Sequence, residues 1–452
     1  MLSICLFVLS FLLIVFVIGR RIRHEKEFKL LDEFRSRLRA IFAALRDQTA
    51  SYDEALGQAR ALFSLRFQVR MEQIFLEHLK VPADAVFIKK MAEDLGFVDR
   101  WRQCLGLQQR QDSASKRDAR PTLHAARFFT RARNAENLGR IRHDGSWKLL
   151  AQSLWDPDAD VQRVALRSLA AIGEPKSFPV LVEHLQKMVI QPGAKLSDRD
   201  LLAALACFPL GLSGDLMPLF RNSNCRIRLL GAQILVQMVG AQTAEDGPPS
   251  LEDSEVGTGL TELILSQLAT DEDAEIRARA AILMARVRDE RAVQRLRELL
   301  NDETWFVRLH AVRSLAQRRD AGSLALLSAR LTEVNWRVRE AAAHSLAQAG
   351  AVGINRLVLT FLSTRDAYAR EQIAEELGTS GELARMLTRC AANGAGQELQ
   401  LLKEIVRMGK TAHLQSALEA QSRTSPGAAV LSTLAGGSDP EAQEWASHMT
   451  AQ

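Results

Sequence analysis

The feature that most constrains this 452-residue chain is a register that returns every 31 residues. Four segments align without gaps: AEIRARAAILM from Ala274, WFVRLHAVRSL from Trp305, WRVREAAAHSL from Trp336 and AYAREQIAEEL from Ala367. Ile276, Val307, Val338 and Ala369 occupy one column, and the next position is always arginine: Arg277, Arg308, Arg339 and Arg370. Four residues beyond the first column stand Ala280, Ala311, Ala342 and Ile373; eight beyond stand Met284, Leu315, Leu346 and Leu377. Apolar positions at i, i+4 and i+8 fall on one helix face. A period near 31 residues holds one supersecondary unit that cannot cover its own apolar face, so neighbouring units must stack to make a core.

Upstream the same template drifts. Val161, Ala165 and Leu169 fit it, with Gln162 in place of the arginine, and Ile227, Arg228, Gly231 and Leu235 fit as well. The 66-residue gap between Val161 and Ile227 leaves room for a degenerate unit, with SDRDLLAALACF at 197–208 as its second helix. The 49-residue gap from Ile227 to Ile276 exceeds one period by the polar, acidic stretch 241–259, an insertion. The first helix of each pair carries a Leu-rich stripe, as in LTELILSQL (260–268) and VQRLRELL (293–300). Low aromatic content, 6%, and few β-branched runs favour helix over strand.

The pattern L-x-x-L-x-D-x(4)-V-R-x-x-A-x(3)-L resembles HEAT repeats, in the short form associated with phycobilin-lyase-like bacterial proteins, over about residues 125–390. The resemblance implies an all-α fold, a right-handed α-α superhelix, and the register itself counts seven to nine units. It says little about function, because this architecture is widely reused. No residue pattern supports the pigment chemistry of the lyases, and no cofactor is expected.

The N-terminus is of another kind. Residues 2–19 carry no charge, span roughly 27 Å as a helix and end at Arg20, Arg21 and Arg23. They are expected to form a single-pass anchor, with the basic residues setting the topology and the bulk of the chain cytoplasmic, at a bacterial inner membrane. Residues 25–46 read as an amphipathic helix that suits a membrane surface, a short coiled coil or, better, packing on neighbours. Residues 20–146 hold 26 Lys and Arg against 17 Asp and Glu, so the first third is basic and the remainder mildly acidic. The expected organisation is an anchor at 1–19, a membrane-proximal helical region at 20–110, a linker at 111–122, the repeat array at 123–390 and degenerate repeats or a cap at 391–452.

Five residues before each register residue stands Asp156, Asn222, Asp271, Asp302, Glu333 or Thr364. A short acid or amide there is placed to cap the second helix, or to pair with an arginine of its own or an adjacent unit. The expected structural ladder is Asp271, Arg277, Asp302, Arg308, Glu333, Arg339 and Arg370, a device the resemblance also implies. Trp305 and Trp336 share a column and, with Arg308 and Arg339, are candidates for contact with a partner.

Other chemistries find no support. The cysteines Cys5, Cys104, Cys207, Cys225 and Cys390 are odd in number, widely spaced and without a CxxC pair. HEAT proteins that hydroxylate a lysine-derived side chain carry paired His-Glu steps, whereas the one such step here, His24-Glu25, lies outside the array. GxxxxGK[ST] and GxSxG are absent. The expected function is a membrane-anchored scaffold for a protein partner, without catalytic, cofactor or metal residues. The alternatives are an accessory subunit or enzyme in envelope polysaccharide or lipid chemistry, beside a glycosyltransferase for example, and a nucleic-acid-binding protein. The last is disfavoured because phosphate needs a concentrated basic surface.

Overall fold

The structure is a computed structural model that describes residues 2–63, 67–111, 121–191, 196–241, 257–393, 396–410, 412–421 and 440–451. The expected linker at 111–122 and the insertion at 241–259 lie almost wholly outside the described residues, as does the stretch 422–439 of the expected C-terminal cap. Every extended element among the described residues is helical, and the chain divides into two compact units, Met1–Phe208 and Pro209–Gln452.

In the first unit, α1 (Leu2–Arg46) is followed by α2 (Tyr52–Leu62), α3 (Gln68–Glu77), α4 (Pro82–Asp94) and α5 (Phe97–Gln111). The stripe Phe34, Leu38, Ile41, Phe42 and Leu45 is buried, so the C-terminal part of α1 packs on its neighbours. The core here is aromatic: Phe63 sits edge-on to Phe34 at 5.1 Å and to Phe97 at 4.8 Å, and Phe75 sits edge-on to Phe97 at 5.6 Å. Two carboxylates are buried beside it. Glu72 accepts from Trp101 Nε1 at 2.9 Å and from Arg100 at 3.0 Å, while Asp84 lies 3.2 Å from both Arg46 and His78. Buried charges persist where such partners satisfy them.

Among the described residues no helix is long and apolar enough to cross a membrane. This overturns the expected anchor at 1–19 and, with it, the expected placement at a cell membrane with the bulk of the chain cytoplasmic. Helix α1 runs on without a break through Arg20 and Arg21, both exposed, and Arg21 lies 3.6 Å from Glu25. Arg23 has a side chain outside the described residues.

The first unit continues with α6 (Pro121–Arg140), α7 (Trp147–Ser153), α8 (Ala159–Ile172), α9 (Phe178–Ile190) and α10 (Asp198–Leu205). Helices α6 and α8 approach closely at Gly139, where a Cβ would lie 2.7 Å from the Cα of Ser168. The Ser168 hydroxyl donates to the Ala135 carbonyl at 2.8 Å across the same contact.

The second unit runs from α11 (Met217–Phe220) through α12 (Cys225–Ala241), α13 (Gly257–Ser266), α14 (Ala274–Met284), α15 (Glu290–Leu299), α16 (Trp305–Gln317), α17 (Leu324–Ala329), α18 (Trp336–Gln348), α19 (Ala351–Ser363) and α20 (Ala367–Thr379) to α21 (Glu382–Asn393), α22 (Gln397–Arg407), α23 (Ala412–Gln421) and a last helix, Pro440–Ala451. Helices α14, α16, α18 and α20 carry the three apolar columns, all buried. A small residue at the middle column lets the preceding helix come close: at Gly231 on α12 a Cβ would stand 3.0 Å from that of Leu219 on α11. Each of these helices packs on its counterpart one repeat away and on the first helix of its own pair, the nearest-neighbour arrangement that stacking requires.

Candidate functional site

The site is built at the N-terminal ends of the second helices. The acid five before the register residue folds the loop: Asp271 accepts from the Asp273 amide at 3.0 Å, Asp302 from Thr304 at 2.8 Å and Asp156 from Asp158 at 2.9 Å. The cap itself lies two residues later than the sequence spacing alone suggests. Asp158, Asp273, Asn335 and Asp366 are the N-caps whose side chains accept the free amides of the first turn.

The arginine after the register residue spans two loops. Arg277 Nη1 donates to the carbonyls of Asp271 and Glu272 in its own loop, each at 2.9 Å, which fixes the plane of the guanidinium. Its other edge, Nε and Nη2, points to the next repeat and forks onto Asp302 at 2.7 and 3.0 Å. Arg308 repeats this on Glu333 at 3.0 and 2.7 Å, and Arg228 on Asp271 at 2.7 and 3.0 Å. A two-bond fork of this kind is favoured by the planar guanidinium. Burial pushes the carboxyls of Asp271, Asp302 and Glu333 up, but the forks and the loop amides outweigh it and hold all three below their ordinary range. The hydrogen bonds to Asp271 and Asp302 raise Arg228 and Arg277.

The series changes beyond Glu333. Arg339 keeps the own-loop contacts, to the carbonyls of Glu333 at 2.7 Å and Val334 at 3.0 Å. Residue 364, where the next acid would stand, is threonine. Thr364 keeps the loop-folding role by accepting the Asp366 amide at 3.1 Å. No carboxylate is paired with Arg339 among the described residues; its Nε is buried without a hydrogen-bond partner and its guanidinium lies 5.5 Å from the Tyr368 ring centre. Arg370 turns to Glu404 on α22 at 2.6 Å.

Trp305 and Trp336 flank Arg337, whose guanidinium lies 5.5 Å from one ring and 5.4 Å from the other, within cation–π range. Trp336 is 55% exposed, Tyr368 69% and Val334 93%, an apolar strip beside the arginines. Of the four candidates for partner contact, Trp305 and Trp336 flank Arg337, Arg339 lies over Tyr368, and the guanidinium of Arg308 faces Glu333.

Two features lay outside the sequence expectation. Arg131 on α6 forks onto Asp156 at 2.8 and 2.8 Å, the same 25-residue step as Arg277 to Asp302. Its own register positions hold Thr130 and Asn134, polar residues that hide the template; the signal was the acid column, read 25 residues back. The second is a cleft of ≈ 590 Å³ along α16 and α18, lined by Arg313, Glu340, His344, Gln348 and Glu376. His344 Nδ1 lies 3.0 Å from Glu376 there. Nearby, burial, with Arg279 and Arg313, drives His310 down to about 4. No group of three or more His, Cys, Asp or Glu placed to hold a metal occurs among the described residues.

A family model described as HEAT repeats matches residues 103–189 and 261–347. No curated protein matches the sequence. Among solved structures, the Escherichia coli protein YibA is 15% identical, with 69% of this chain and 100% of that one covered and a TM-score of 0.37. Importin beta is 13% identical, with 94% and 66% covered and a TM-score of 0.37. An engineered protein is 19% identical, with 78% and 98% covered and a TM-score of 0.35. Over residues 103–189 and 261–347 the chain is similar to HEAT repeats, and the buried three-column helices suit that likeness.

Proposed function

We infer that the chain is a scaffold whose repeats hold a protein partner along the edge formed by Trp305, Trp336, Arg339 and Tyr368. The observation that carries this is the exposed strip of Val334, Trp336 and Tyr368 set among arginines. Aromatic residues and arginine are the side chains most enriched at the energetic centres of protein interfaces. A solenoid offers such an edge on rigid helices at little ordering cost. The proposed role is binding, not turnover. The forks, Arg308–Glu333 included, hold the repeats in register beneath the edge.

The test is site-specific photo-crosslinking. A benzoylphenylalanine at position 352, away from the strip, and one at position 368 are compared in native extract, each with and without Trp336→Ala. One protein joined from position 368, absent from position 352 and lost with Trp336→Ala is the expected result. No product from position 368, or products indifferent to Trp336, overturns the reading.

A further inference from the structure

Resting on that reading, we propose that the partner segment presents a carboxylate to Arg339, beside a large apolar side chain seated on Trp336 and Tyr368. Arg228, Arg277 and Arg308 show what this column does with its free edge: it takes a carboxylate through Nε and Nη2. Arg339 is held in the same way from behind, by carbonyls six and five residues upstream. Its Nε has no hydrogen-bond partner, and the position that holds Asp302 and Glu333 in the preceding repeats is here Thr364, which is engaged with the Asp366 amide and carries no charge.

The surroundings match an acidic, apolar ligand. Arg337 and Arg365 are exposed beside the same loops and join no ion pair among the described residues. The acids of these two loops are committed: Glu333 pairs with Arg308, and Asp366 caps α20 through the amides of Tyr368 and Ala369. A half-buried guanidinium with one edge unpaired favours an incoming carboxylate, because a charge-assisted fork is about twice as strong as a neutral hydrogen bond. Val334, Trp336 and Tyr368 supply the apolar floor. A second copy of the chain and a nucleic-acid phosphate are the competing occupants; the first makes binding depend on protein concentration, and the second ignores the apolar floor.

The test uses the full chain and two blocked decapeptides, one alternating Glu and Leu, the other Gln and Leu, followed by calorimetry. The wild type is expected to bind the Glu peptide about tenfold or more tightly than the Gln peptide. Thr364→Asp supplies the chain's own carboxylate to Arg339, so the unfolding midpoint rises and the Glu preference disappears. Arg339→Gln, which strands no carboxylate, folds as the wild type and also loses the preference. Equal affinity for the two peptides, or a Glu preference that survives both substitutions, overturns the proposal. So does binding that appears only as the chain self-associates. Crosslinking from position 368 that persists in Thr364→Asp removes this inference alone, whereas its absence in the wild type removes the scaffold reading.

Discussion

Arg277 and Asp302 lie 25 residues apart and meet through two parallel hydrogen bonds, with side chains 11% and 7% exposed. Breaking such a pair from one side leaves a desolvated charge. Asp302→Ala is therefore expected to cost about 3–5 kcal/mol, and Arg277→Met with Asp302→Leu to recover most of it, because apolar replacement of both partners removes the unpaired charge. Urea midpoints of the three chains check this; a double variant as unstable as Asp302→Ala would contradict it.

Acid is expected to act in two windows. His184 on α9 is 4% exposed, its two ring nitrogens have no hydrogen-bond partner, and burial, with Lys187, lowers it to about 4. A base depressed in the folded state is charged first in the unfolded one. Stability therefore falls from about pH 6.5 towards the folded value. His184→Leu is expected to flatten that slope, which reaches up to about 1.4 kcal/mol per pH unit.

The second window belongs to Asp271, Asp302 and Glu333, whose folded values are depressed. Their contribution is present above the unfolded values, about 4, and is lost as pH falls through the folded ones. Thermal midpoints from pH 7 to 2 separate the windows: His184→Leu alters the first alone, and the double variant at 277 and 302 weakens the second.

Two glycines are expected to respond in opposite directions to alanine. At Gly139 the new Cβ meets the backbone of Ser168, so α6 and α8 must part, at about 1–3 kcal/mol. At Gly57, inside α2, nothing lies within 4 Å of the new Cβ, and the reduced freedom of the unfolded chain stabilises by about 0.4–1 kcal/mol. Denaturation midpoints of the two variants decide.

Glu72→Ala is expected to strand the Trp101 N–H and the Arg100 guanidinium inside the first unit. The loss should reach about 1–3 kcal/mol, with a changed near-ultraviolet circular dichroism signal from Trp101. An unchanged signal would mean that the indole finds another acceptor.

The apolar columns were legible because burial on one face forces residue type at a fixed period: Ile276, Ala280 and Met284 admit little else. The direction of the arginines was not. The same spacing places Arg277 near the carbonyl of Asp271 behind it and near Asp302 ahead, and only the stacking of α14 on α16 shows that it uses both. Arg131 was hidden because a polar Thr130 and Asn134 stand where its helix should be apolar. The strip at Trp336 was legible as a column but not as a surface, since a tryptophan at a repeat seam looks the same in sequence whether it is covered or half exposed.

The forks have a mechanical consequence. Three in succession, from Arg228, Arg277 and Arg308, tie each loop to the next along a single edge of the second unit. That edge resists stretching, so bending there takes place by opening and closing the opposite side, as a hinged strap flexes about its stitched seam. The stitching is weakest where threonine replaces the acid at position 364, and a load on the second unit concentrates its strain at that seam.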